Sequence, residues 1–297
     1  MPQTHILTGA GDGAAQPAIR RIGPADLMDA LAKGWEDFSA MPSHAIFLCV
    51  IYPAIGLAVA TVTLGYNILP LLFPLAAGFA LVGPLAAIGL YELSRRREAK
   101  LDVSAADALE VVRSPSIGAI VALGLVLTVI FFVWVAAARA IYVANFGYES
   151  PASIEQFIRD MLDTRAGWNV IILGNAVGFL FAVLVLMISA VSFPLLLDRD
   201  VGAATAILTS IRAVLANPMT MALWGMIVAA LLLIGSLPAF LGLTVVLPVL
   251  GHATWHLYRK VVEPGESPRA EFVEPPKVRR YAADFPASLF GGDKIKE

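Results

Sequence analysis

Residues 117–138 contain no Asp, Glu, Lys or Arg, and an apolar run of about 20 residues is what a helix needs to cross the hydrocarbon core of a bilayer. Inside lipid the backbone can hydrogen-bond only to itself, so a helix is the form such a run takes unless the chain closes into a barrel. Residues 44–66, 68–91, 169–197, 219–234 and 237–258 are equally free of acidic and basic side chains. Six runs of this kind predict an all-α, polytopic membrane bundle of six transmembrane helices.

Composition agrees with that reading. Hydrophobic residues make up 58% of the chain and charged residues 15%, with a mean hydropathy of +0.77; ordinary soluble domains are far more polar. A formal net charge of −2 offers nothing to attract nucleic acid. The single cysteine, Cys49, rules out an intrachain disulfide and a cysteine-rich metal site. No basic segment leads into an apolar one before residue 22, so a cleavable signal peptide is not expected.

Residues 1–22, rich in glycine and alanine, are expected to be disordered and cytoplasmic, and residues 259–297 to form a solvated cytoplasmic tail. The six-helix domain is assigned to 23–258. It begins at Gly23-Pro24, where proline suits a first helical position. Leu27, Met28, Leu31, Trp35 and Phe38 then share a helical face. The acidic opposite face argues for docking on protein rather than on anionic headgroups. A second surface helix is expected after Ser104-Ala105-Ala106-Asp107, which has capping-box spacing, with Ala108, Val111 and Val112 as its apolar face. On the far side, Ser153-Ile154-Glu155-Gln156 caps an amphipathic helix over about 153–164. Its apolar face is Ile154, Phe157, Ile158, Met161 and Leu162, and it should lie flat at headgroup level. Pro74 and Pro84 predict kinks packed against protein. Gly174 and Gly178 have the small-xxx-small spacing that admits a close helix, and Asn175 between them suits an interhelical hydrogen bond.

Prolines punctuate the chain in a recurring order. Pro42, Pro115 and Pro218 each follow a candidate surface helix and precede a span, while Pro84, Pro194 and Pro248 lie near the end of the span that returns. This predicts three tandem repeats of a surface amphipathic helix plus a transmembrane hairpin, over about 23–92, 103–198 and 202–258. Such copies would be parallel repeats. Arg139, Arg159 and Arg165 lie on one side, and the rest of the 21 Lys and Arg residues on the other. The positive-inside rule then puts both termini in the cytoplasm, as in a multi-pass protein of a bacterial inner membrane.

None of the charged residues falls at the centre of a run, whereas ion-coupled transport usually needs ionisable groups at depth. His252 and His256, four apart on one helical face, have spacing that can ligate a metal or haem. An aromatic and histidine belt at a span end produces the same residues, and that reading is preferred. No Glu lies between the two histidines as a zinc protease would require, and no phosphate-binding glycine loop is present.

The stretch Arg20-Arg21-Ile22, Leu31, Gly34-Trp35-Glu36-Asp37-Phe38 and Pro42, followed by a hairpin, resembles a bacterial family of predicted integral membrane proteins, domain of unknown function 2189. Its most specific part is the patch of Gly34, Trp35, Asp37 and Phe38. Some members are labelled as cytochrome c oxidase subunits, but no histidine pair lies at mid-bilayer depth here to hold a haem. The resemblance implies no catalytic residue and no cofactor. The expectation is a non-enzymatic, uncharacterised inner-membrane protein with the lipid bilayer as its surroundings. It would serve as an accessory, assembly or scaffold component of a membrane complex, respiratory complexes among the candidates, with other subunits as partners. The alternative is a carrier or channel for an apolar or zwitterionic solute, built on proline-broken helices.

Overall fold

The computed structural model describes residues 17–41, 69–71, 74, 75, 78, 81, 83–149, 151–238 and 240–264. Among these residues the structure is helical and forms no strand. The helices are α1 (Pro24–Ala40), α2 (Ile88–Glu98), α3 (Ile117–Phe146), α4 (Ile154–Asp163), α5 (Arg165–Ser189), α6 (Ser192–Asp198), α7 (Ala203–Ala216), α8 (Pro218–Ser236) and α9 (Leu243–Val261), with a 3-10 helix, Ala105–Arg113, between α2 and α3. The expected span 44–66, most of 68–82, His44 and Cys49 lie outside the described residues.

Among the described residues three stretches are long and apolar enough to cross a membrane: Ile117–Phe146, Arg165–Asp198 and Pro218–Ser236. They match the expected third, fourth and fifth runs. The fourth is two helices, since the chain breaks at Ala190 and Val191 between α5 and α6. The sixth run differs more. Residues 237, 238 and 240–242 are turn, and α9, with Pro248 inside it, carries His252, His256, Arg259 and Lys260 into a well-buried setting.

The packing is cyclic. Helices α2, α6 and α9 touch one another, and each holds a surface element: the 3-10 helix lies on α2 and α7 on α6, each next in the chain, while α1 from the other end of the chain lies on α9. We call this layer the collar. Two of its contacts are close enough to need small residues. A Cβ on Gly34 of α1 would come within 2.7 Å of Ala253 and of the Val249 carbonyl on α9, and a Cβ on Gly89 of α2 within 3.1 Å of Ala108 in the 3-10 helix.

The docked face of α1 is rotated from the one the apolar spacing suggested. Leu27, Ala30, Gly34, Asp37 and Phe38 are buried, whereas Met28 and Trp35 are 63% and 54% exposed. Close approach to α9 requires small side chains, so Ala30 and Gly34 turn inward and the indole stays outside. The expected disorder of residues 1–22 is corrected for 17–22. Arg20 N donates to Val261 O at 2.8 Å and Glu263 N to Ala18 O at 3.0 Å. Asn217 accepts from Ile22 N at 2.8 Å and donates to Arg20 O at 3.0 Å, so side-chain and backbone partners fix this segment.

The second surface element is a 3-10 helix rather than an α-helix. Its cap forms as the spacing indicated, with Asp107 accepting from Ser104 N at 2.6 Å. Ala108 and Val111 are buried and Val112 is exposed. The far-side helix α4 starts where expected, with Ser153 Oγ accepting from Gln156 N at 3.1 Å.

Candidate functional site

Helix α9 brings a dense polar sequence, His252 to Lys260, against α1 and α2, and burial obliges every polar group there to find a partner. His252, Ser94 and Glu92 are fully buried, and Asp37 is nearly so. Ser94 Oγ donates to Asp37 Oδ2 at 2.6 Å and lies 2.8 Å from His252 Nδ1. Serine has one hydroxyl proton. That proton goes to the carboxylate, so His252 Nδ1 is the donor to Ser94 and Nε2 of the neutral ring is an acceptor. Nε2 has no hydrogen-bond partner among the described residues. On the other side of Asp37, His256 Nε2 sits 2.8 Å from the same Oδ2, and Arg97 Nε lies 3.3 Å from Oδ1.

Burial alone would raise the pKa of Asp37, but hydrogen bonds from His256 and Ser94 outweigh it and hold the carboxyl below its ordinary range. The result ties three elements together: α1 through Asp37, α2 through Ser94 and Arg97, and α9 through the two histidines.

A second cluster surrounds Glu92. Arg95 binds it with two hydrogen bonds of 2.7 Å, and Arg96 Nε adds a third at 2.9 Å. Arg96 continues to Asp107 at 3.3 Å and to Glu110, so α2 is clamped to the 3-10 helix. A third cluster joins α6 and α9: Tyr258 donates to Asp198 at 2.6 Å, Trp255 Nε1 to Glu98 at 2.9 Å, and Arg259 Nε to Glu98 at 3.0 Å. At the outer end of α1, Lys260 reaches Asp29 at 2.8 Å and Asp26 at 3.2 Å. Asp29 is held low by Lys260 and Lys33, and Asp26 chiefly by the Gly23 N–H.

The two histidines therefore do share a face, as their spacing indicated, but each directs a ring nitrogen at Ser94 or Asp37. Among the described residues no group of three or more His, Cys, Asp or Glu is placed to hold a metal ion. Ser94 is not arranged as a nucleophile, since its hydroxyl points at a carboxylate and is closed off from solvent. Of the patch, Gly34, Asp37 and Phe38 enter the α1–α9 contact and Trp35 does not.

The glycine pair divides. A Cβ on Gly178 would meet the Trp134 ring at 2.9 Å, whereas around Gly174 there is nothing within 4 Å. Asn175 does not bridge helices: its Nδ2 donates to Ile171 O of its own helix at 2.7 Å. Sequence reasoning missed Glu92, Ser94, Arg97, Asp198 and Tyr258. A signal existed in the recurring Leu93-Ser94-Arg95, Leu197-Asp198-Arg199 and Leu257-Tyr258-Arg259, one on each of α2, α6 and α9.

Residues 72–198 match the model of a family described as predicted integral membrane protein, DUF2189, so over that segment the chain is similar to it. The matched segment includes the Glu92 cluster and the spans α3 and α5, and lies outside the Gly34-Trp35-x-Asp37-Phe38 patch. No curated protein and no solved structure matches the chain.

Proposed function

We propose that this integral membrane protein is a non-catalytic accessory or assembly component of a bacterial inner-membrane complex, with respiratory complexes the first candidates. The observation that carries the reading is the commitment of the collar's ionisable groups to one another. Asp37, Glu98, Asp198, Arg96, Arg97, Arg259 and Lys260 are held in ion pairs between elements, Glu92 is paired within its own helix, and Ser94 and His252 are sealed in the same network. Groups locked in this way fix a shape, and a fixed shape with large apolar flanks suits a part that other membrane subunits assemble on. The basic residues on the collar side favour a cytoplasmic collar.

We further propose six spans in three modules. The cyclic docking of α1 on α9, the 3-10 helix on α2 and α7 on α6 supports this. So does a shared spacing: the interval from Pro84 to Pro248 equals that from Gly89 to Ala253 and from Leu93-Ser94-Arg95 to Leu257-Tyr258-Arg259, and both Gly89 and Ala253 are points of close contact with a surface element.

Extraction of the tagged protein from native membranes in mild detergent tests the functional reading. The expected result is stoichiometric co-purification of one or more membrane subunits, with the abundance of that complex falling when the gene is deleted. Migration as a lone species, together with solute flux in reconstituted vesicles, would overturn it in favour of a carrier.

A further inference from the structure

Helix α4 is unlike every helix of the collar, for none of its residues is buried. Its apolar row stands open, with Ile154, Ile158 and Leu162 each about half exposed. Glu155 and Arg159, 3.3 Å apart and well exposed, border this row, and Asp160 and Asp163 lie on the opposite face. An isolated helix of ten residues is marginal in water, so its position must come from what it joins.

That joint is rigid. Thr164 ends α4 by donating to Asp160 O at 2.5 Å and begins α5 by accepting from Gly167 N at 2.9 Å. Trp168 Nε1 donates back to Leu162 O at 2.9 Å. A Cβ on Gly167 would collide with the Asp160 and Met161 carbonyls, so the corner closes tightly. Leu162 thus sits three residues from Arg165, which opens the membrane-crossing run Arg165–Asp198. The preceding span, α3, has 30 residues, a length of about 45 Å against a hydrocarbon core of about 30 Å. The turns beyond Arg139 therefore stand at headgroup level, where α4 begins its return.

From this placement we infer that α4 binds the boundary between headgroups and acyl chains of the far leaflet, its Ile154–Ile158–Leu162 row in the lipid. Just past the corner α5 exposes Trp168, Ile172 and Leu173 at the start of its membrane-crossing run, which favours lipid over a protein as the occupant of the row. The polar face is net acidic, so binding requires no anionic lipid.

The full chain with Cys49→Ser, bearing either Ile158→Cys or Asp163→Cys, can be labelled with an environment-sensitive fluorophore and reconstituted in phosphatidylcholine brominated near the headgroup end of its acyl chains. The label at 158 should be quenched several-fold more than the label at 163, and adding phosphatidylglycerol should leave the ratio unchanged. Equal quenching at the two positions would overturn the inference. So would quenching at 158 that appears only with anionic lipid, or a label at 158 that purified protein partners shield from lipid.

Discussion

The collar and the far side of this molecule bury opposite kinds of residue. In the collar, Glu92 and His252 are at 0% exposure, and α1 meets α9 at the distance of a glycine. Around α5, only 6% of the most apolar window is buried within the chain, and Phe179 and Leu180 face outward at about two-thirds exposure. The difference teaches that hydrophobicity does not locate the interior of this protein. Lipid covers the spans, so their side chains need no partner within the chain. At the water-facing end, packing must supply what lipid does not, and charged residues enter the interior because each meets an opposite charge or a hydrogen bond.

The strongest way to break that contrast is to remove a charge from the collar. Glu92→Gln leaves Arg95 and Arg96 facing a neutral amide and should cost about 3 kcal/mol, read as a lower midpoint of thermal unfolding in detergent. An unchanged midpoint would mean that the cluster is not closed. Next come the glycines, which make a direct pair. Gly34→Ala forces α1 off Ala253 and should cost about 1–3 kcal/mol, whereas Gly174→Ala, with open space around it, should stay within about 0.5 kcal/mol of the parent. Equal effects would erase the distinction between the two regions.

Acid sharpens the contrast without mutation. Asp37, Asp26 and Asp29 all have folded values below their ordinary ones. Their contribution is therefore complete above about pH 4, the unfolded range, and is lost as pH falls through the lower folded values. Once the intrinsic pH dependence of amide exchange is divided out, protection in α1 should fall below that pH while protection in α3 stays constant. The smallest expected effect is at α4: Ser153→Ala removes its cap and should cost about 1 kcal/mol locally, visible as faster exchange at Gln156 with no change in the collar.

Much of the fold was legible because lipid imposes simple rules. The uncharged runs marked α3, α5 and α8, and Ser153 and Ser104 marked helix starts through the chemistry of unpaired N–H groups. A resemblance to a membrane family was legible too, although the segment that matches it, 72–198, leaves out the patch that suggested it. What stayed hidden is pairing at long range. The spacing of His252 and His256 shows a shared face, but not that Ser94, 158 positions away from His252, would stand between His252 and Asp37. Nor could an amphipathic pattern show that α1 docks through Gly34 rather than Trp35, since small residues carry no apolar signal. Asn175 read as a bridge because polar groups in spans need partners, yet a carbonyl four residues back was nearer.

The central claim is that the two ends of the chain close the collar by seating α1 on α9. Asp29→Cys with Lys260→Cys, in a Cys49→Ser background, places one thiol on each helix where the native side chains meet at 2.8 Å. A short bis-maleimide, which spans the reach that cysteine lacks relative to lysine, should link the pair within the monomer in native membranes, and the cross-link should vanish when Gly34→Leu is added. Two thiols that stay free and separately reactive with a water-soluble label would contradict the account.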